Sequence, residues 1–330
     1  MRICVLGGTG NISTSIVRLL VKVGHQVTVF TRGKRPGVLE DVTVIQGDRQ
    51  DRVSFETAMQ ERRFDAAIDM ICFNADDARS TLRAFRGVKH LIYCSTVSTY
   101  GVDFDWLPVT EDHPLRPTTD YGRNKVAADQ VFMTAYHAEG FPVTIIKPAY
   151  TSGPLFPIYR QIGNDSMWLD RVRKGKPVIV CGDGRVMMQH LHVDDAAPAF
   201  VFTLGRERCI GQTYNMMKRE FHTWNEYHHT VMKVIGREVD LVGVPETTLI
   251  AAHVPNLNLG TGFTHNLLFS PEKLMRDVPE FHPRISLEDG MAEIFEAMVR
   301  EKRISDSDRE TWEDCLIAAQ RKVGELILEV

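Results

Sequence analysis

Tyr121 and Lys125 lie four residues apart in the stretch DYGRNKVAAD, 120–129, at what reads as the start of a helix. Four residues is about one helical turn, so a phenol and an ammonium at this spacing share a face. A tyrosine titrates at about pH 10 unless its surroundings move it, and an adjacent cation moves it down. A surface tyrosine beside a surface lysine would read the same way in isolation. Upstream, YCSTVSTYG brings three hydroxyls, Ser95, Thr96 and Ser98, about 25 residues before Tyr121. A hydroxyl that holds a substrate oxygen, a phenol that exchanges a proton with it and an ammonium that favours the phenolate together suit acid–base chemistry on an alcohol.

Such a set needs a scaffold that brings strand ends and a helix start together. RICVLGG, QVTVFTR, VTVIQGD, AAIDMI, HLIYCST and VTIIKPA are short β-branched runs that read as buried strands. Between them lie ISTSIVRLLVKVG, RVSFETAMQERR, DDARSTLRAFRG and GRNKVAADQVFMTAYHAEG, with apolar residues at helical intervals. Strand–helix alternation predicts an α/β fold: a doubly wound parallel sheet with helices on both faces and ligands at the carboxyl ends of the strands. YCSTVSTYG ends the fifth of these strands, at that edge.

LGGTGNIS, between the first strand and the first helix, sharpens the expectation. Gly7 and Gly10 permit a tight turn and close approach of a pyrophosphate to the helix N-terminus, with Thr9, Asn11 and Ile12 beside them. Ser13 stands where a third glycine is usual and is small enough for close helix–strand packing. The loop therefore reads as a dinucleotide site, and residues 1–150 as the dinucleotide-binding domain. An acidic residue usually ends the second strand of NAD-binding sheets. Thr31 stands there instead, followed by Arg32, Lys34 and Arg35. Arginine suits a 2′-phosphate, so this stretch favours NADP over NAD, the competing reading being a solvated basic loop. Asp48, after the third strand, is a candidate for the adenine end. The positive charge of an oxidised nicotinamide would lower Tyr121 further, and Lys125 would reach the cofactor ribose.

After about residue 150 the alternation fails. Segments near 176–204 (the strand PVIVCG and a helix from near Asp194) are expected to interleave with the sheet domain. The rest of 151–330 reads mainly as a substrate-binding region, Pro-punctuated at 245–283. A helix is expected over the last thirty residues, docked on its own core through Trp312, Leu316, Ala319, Val323 and Leu326.

Composition excludes several classes. The chain has 330 residues, is 43% hydrophobic and 25% charged, and carries a formal charge of -4. That balance suits a globular enzyme and argues against DNA, RNA or an anionic membrane as partner. No apolar run is long enough for a membrane helix, and MRICVLGG is no signal peptide. Six scattered cysteines read as reduced thiols of a cytoplasmic protein. His190 and His192 alternate without further ligands nearby, so no metal is expected, and His228 and His229 read as surface residues.

GGTGNIS, YCSTVSTYG and YGRNK in this order resemble the extended short-chain dehydrogenase/reductase superfamily, in its NAD(P)-dependent epimerase/dehydratase branch. The resemblance continues through VTEDHPLRPTTDYGRNKVAADQ, IIKPAYTSGP, GDG, HLHVDDAA and FSPEKLMRDVPEFHPRISLEDGMAEIF, covering most of 1–300. It implies a Rossmann-type fold with a smaller C-terminal substrate-binding region. It also implies Thr96 as the active hydroxyl, Tyr121 as the base and Lys125 as the cofactor-binding lysine. Pro148, Ala149 and Tyr150 would line the nicotinamide. Ser98, Thr151, Arg160, Arg185 and Gln189 are the candidates for substrate binding. The Asp-Glu pair that dehydratases of this family carry after the threonine is replaced by Val97 and Ser98, which disfavours elimination. An arginine that many nucleotide-sugar enzymes carry is replaced by Met188, so Arg160, Arg171 or Arg185 would have to compensate. The implied reaction is epimerisation of a sugar-like substrate through a transient ketone, with net reduction or dehydrogenation by the same three residues as the alternative. TRG and the Q-x-L-H-V pattern are similar to an atypical branch that includes chloroplast stem-loop RNA-binding proteins, an alternative of another class. The family's pairing of the Lys125 helix between subunits implies a homodimer.

Overall fold

β-branched runs of five or six residues are too short for stable helices and, buried on both faces, pair as parallel strands. In the computed structural model, which describes residues 1–34, 41–257, 259 and 263–328, the six expected strands form. They are β1 (Arg2–Leu6), β2 (Gln26–Thr31), β3 (Val42–Gln46), β4 (Ala66–Asp69), β5 (His90–Cys94) and β6 (Val143–Pro148). A seventh strand, Thr213–Met216, pairs in parallel with β6. It is four residues long and lies outside the alternating half, so the pattern did not announce it.

The order is Thr213–Met216, β6, β5, β4, β1, β2, β3. Winding reverses between β1 and β4, where an open parallel sheet leaves a crevice at the strand carboxyl ends. The helices are α1 (Asn11–Lys22), α2 (Arg52–Arg62), α3 (Ala75–Ala84) and α4 (Asp120–Glu139). Asp51, Asn74 and Thr119 cap α2, α3 and α4 by accepting from the N–H of Ser54, Asp77 and Gly122. Gly140, at φ 68, ends α4 in the left-handed conformation. The alternation of strand side chains splits the core. Ile3, Val5, Val29, Ile68 and Ile92 pack on one face with Phe200. Cys4, Leu6, Leu91 and Tyr93 pack on the other with Phe55, Phe85 and Phe132.

The chain forms two compact units. The first, containing the sheet, comprises 1–151, 191–219 and 269–284. The second comprises 152–190, 220–268 and 285–330. In the second, the parallel pair Val178–Cys181 and Leu241–Val244 and the helices Trp224–Ile235, Leu287–Arg300 and Trp312–Leu328 are the main elements. Its core includes Ile162, Ile179, Val244, Leu249 and Ile317.

The terminal helix departs from expectation. It begins at Trp312 rather than near 301, and its docked face carries Trp312, Leu316 and Ile317. Val323 is 49% exposed, and the side chain of Leu326 lies outside the described residues. The buried position that apolar periodicity could not show is Glu313, an acid held by arginines. His228 is also a correction: it is fully buried, its Nδ1 hydrogen-bonded to the Trp224 carbonyl and its ring against Trp168, while His229 pairs with Glu238. The turn of helix that separates adjacent residues sends one inward.

Five cysteines are buried and Cys315 is exposed, all as free thiols. Among the described residues no helix is long and apolar enough to cross a membrane, and no group of His, Cys, Asp or Glu is arranged to hold a metal ion.

Candidate active site

The glycine loop joins β1 to α1. Gly7 has φ +83, and a Cβ there would come within 2.4 Å of the Ile71 side chain, so this turn requires glycine. Ser13 does more than replace a small residue. Its hydroxyl donates to the Gly7 carbonyl at 2.6 Å and accepts from the Gly10 N–H at 2.8 Å, strapping the loop to the first turn of α1. Asn11 is buried beside it, and its side-chain oxygen and nitrogen have no hydrogen-bond partner among the described residues.

A cavity of about 390 Å³ opens over this loop. Gly7, Thr9 and Gly10 line it, with Thr31, Arg32 and Lys34 after β2, Asp48 and Arg49 after β3, and Ile71 and Phe73 after β4. Arg35 lies outside the described residues. Asp48 turns back to accept from the Gln50 N–H and stays exposed. Arg49 was missed by sequence reasoning, because a buried arginine leaves no periodic trace. Its guanidinium reaches Asp69 at 3.1 Å, the Asp77 carbonyl at 3.0 Å and the Thr81 hydroxyl at 2.9 Å. Asp69 in turn accepts from the Ile71 N–H and so holds the cavity wall. The glycine cradle, the orphaned Asn11 amide and the exposed cations of Arg32 and Lys34 fit a phosphorylated dinucleotide.

Thr96 follows β5, and Tyr121 and Lys125 lie in the first two turns of α4. Thr96 is buried; its hydroxyl accepts from the Ser98 N–H and donates to the Ser98 hydroxyl, both at 3.2 Å. Tyr121 is 47% exposed, and Lys125 only 2%. The ammonium donates to the Cys72 and Cys94 carbonyls, each at 2.7 Å, with the rings of Phe73, Tyr93 and Tyr121 around it. The phenol of Tyr121 is pushed up to about 12 by desolvation, with Cys94 and Asp129 adding to the rise and the Thr96 hydroxyl opposing it. The expectation that Lys125 brings this group toward neutrality is therefore not met in the protein by itself. The protons of Lys125 point to main-chain oxygens, and burial of the phenol dominates.

Pro148 ends β6 beside Met216, Tyr150 and Thr151 follow it half-buried, and Ser98 sits beside Thr96. Arg160, Arg185 and Gln189 belong to the second unit. Arg160 cannot serve as a substrate cation: fully buried, it grips Glu313 at 2.8 Å and Asp165 at 2.9 Å. Arg171 is committed likewise, to Asp314 and the Pro177 carbonyl. Arg185 is exposed, 4.0 Å from Asp183. Gln189 and Met188 are buried.

A model of the NAD dependent epimerase/dehydratase family matches residues 3–216. The chain belongs to that family. Among its relatives is the 2'-dehydrokanamycin reductase of Streptomyces kanamyceticus, 30% identical over 74% of this chain and 70% of that protein. The chloroplast stem-loop binding protein of 41 kDa b of Arabidopsis thaliana is 25% identical over 89% of this chain and 78% of its own. A UDP-glucose 4-epimerase of Corynebacterium glutamicum is 26% identical over 76% and 87%. The solved UDP-glucose-4-epimerase of Stenotrophomonas maltophila, with bound NAD and formylated UDP-arabinopyranose, has the same fold at 20% identity. It superposes with a TM-score of 0.76 over 92% of this chain and all of its own. This epimerase/dehydratase family member is thus an NAD-dependent enzyme of the extended short-chain dehydrogenase/reductase type, with the Rossmann-like sheet that the sequence implied.

Proposed function

We propose that the protein is an NADPH-dependent reductase of a keto group on a sugar-like substrate that lacks a diphosphate. The observation that carries this reading is the cavity wall at the end of β2, where Thr31 replaces the usual acid and Arg32 and Lys34 face the cavity. Both cations suit a 2′-phosphate, and a carboxylate there would repel one. Gly7, Thr9, Gly10, Asn11 and Ile12 would hold the pyrophosphate, Asp48 the adenine end, Lys125 the ribose, and Pro148 and Tyr150 the nicotinamide. When bound, the cofactor supplies hydride at the nicotinamide.

Tyr121 is protonated at neutral pH, and its phenol donates that proton to the substrate carbonyl oxygen as the carbon is reduced. Thr96 orients the same oxygen, with Ser98 beside it. Thr151, Gln189 and Arg185 remain candidates for the rest of the substrate. Buried Met188 and the committed Arg160 leave two of the expected diphosphate-gripping positions without a free cation, which supports a less anionic substrate such as a glycoside. The reductase among the relatives supports the same direction.

Epimerisation through a transient ketone is the second reading, supported by the UDP-glucose 4-epimerase relatives. Purified protein incubated with NADPH and keto-sugars, followed by cofactor absorbance, separates the two. Stoichiometric consumption of NADPH is expected. Conversion of an alcohol to its epimer without net cofactor change would overturn the reductase reading. A homodimer and a cytoplasmic location complete the proposal.

A further inference from the structure

Tyr121, Lys125 and Asp129 are spaced at successive turns of α4, so phenol, ammonium and carboxylate run along one face. Asp129 is only 5% exposed. A carboxylate four residues beyond a lysine is its ordinary ion-pair partner and would cancel its charge. Among the described residues the Asp129 ion pair is instead with Lys147, at 3.0 Å, and its other oxygen accepts from the Ser95 hydroxyl at 2.6 Å. Lys147 is 3% exposed, penultimate in β6. It also donates to the Thr99 hydroxyl at 2.9 Å and lies 4.6 Å from the Tyr100 ring. Thr99 donates to the Thr96 carbonyl at 2.9 Å.

We propose that Lys147 is a positioning residue for proton transfer at Tyr121: by pairing with Asp129 it shields the phenol from that carboxylate. This rests on the role given to Tyr121 above. Lys125, Asp129 and Lys147 together carry one net positive charge. Without Lys147 they carry none, and a bare carboxylate is left in a low-dielectric interior. The other groups facing this row are accounted for. Cys94 and Thr96 adjoin the phenol, Glu111 and Asp112 act on Tyr100, and Asp69 is neutralised by Arg49. The same lysine joins the turn carrying Thr96 to α4, so its charge and its geometry serve one purpose.

The test compares pH profiles of turnover for Lys147→Met, Lys147→Arg, Asp129→Asn and the double variant Lys147→Met/Asp129→Asn. Lys147→Met should raise the apparent pKa governed by Tyr121 by about one pH unit, and Asp129→Asn should lower it. The double variant and Lys147→Arg should return it toward that of the unaltered protein. Ultraviolet difference titration of the cofactor-free protein, with Tyr121→Phe as reference, should show the Asp129→Asn shift without any catalysis. A folded Lys147→Met variant with an unmoved profile would overturn the proposal. Should that variant not fold, an unmoved Tyr121 titration in Asp129→Asn overturns it equally. Full activity in Tyr121→Phe would instead remove the reading on which the proposal rests, leaving the titration result standing.

Discussion

The ammonium of Lys125 lies 5.9 Å from the centre of the Tyr121 ring, while its protons go to the Cys72 and Cys94 carbonyls. The two residues therefore share a helix face, and the proposed reading gives them separate tasks, one for the proton and one for charge and cofactor. Tyr121→Phe should lower turnover by about 10²- to 10⁴-fold with little change in KM, since it removes only the proton. Lys125→Met should also weaken cofactor binding. Steady-state kinetics with a separate cofactor titration distinguishes the two outcomes.

In the proposed reading the β2 end governs cofactor choice. Removing Arg32 takes away one charge-assisted contact, so Arg32→Ala should raise KM for NADPH by about 10- to 100-fold and leave NADH nearly unaffected. Thr31→Asp should shift preference further toward NADH. Equal effects on both cofactors would place Arg32 elsewhere than at a 2′-phosphate.

Ser13 straps the loop, so restoring the usual glycine should harm rather than help. Ser13→Gly leaves the Gly7 carbonyl and the Gly10 N–H without their shared partner. The cofactor dissociation constant should rise by about 5- to 10-fold in calorimetry, as expected for one or two lost hydrogen bonds.

Arg160 and Glu313 hold the terminal helix from inside. Glu313→Ala leaves a buried guanidinium half paired and should cost about 3–5 kcal/mol in a denaturant titration. KM of the folded fraction should stay within about twofold. A large rise in KM without loss of stability would return Arg160 to the substrate.

His90 is fully buried between the Thr144 hydroxyl and the Gly205 N–H, and burial lowers it to about 4. A histidine lowered on folding gives stability that is present above its unfolded value and is lost as pH falls toward the folded one. The protein should lose about 2 kcal/mol from this group between pH 7 and 5. A His90→Gln variant, weaker at neutral pH, should show a flatter acid limb in thermal melts.

The sheet was legible because β1 to β6 are short, mostly apolar runs with helical patterns in four of the five intervals between them. Thr213–Met216 was not, being four residues joined to β6 from far along the chain. At the site, Gly7, Thr96, Tyr121 and Lys125 were singled out as candidates because loop chemistry and one-turn spacing are local. Arg49, Lys147 and the strapping role of Ser13 were not, because their partners lie on other elements or on the backbone. Asp129 could have been noticed, since an acid eight residues after Tyr121 continues the polar line on α4. Arg160 misled for the converse reason: sequence counts a cation but does not show that Glu313 already holds it.

Lys125 is anchored by the Cys72 carbonyl after β4 and the Cys94 carbonyl at the end of β5, and no side-chain substitution can delete a carbonyl oxygen. Its place is set by the gap between two neighbouring strands, so it is as durable as the sheet itself. Side chains around the substrate can drift freely while the charge stays where it is. A scaffold wired in this way would let the proposed substrate change without moving that ammonium.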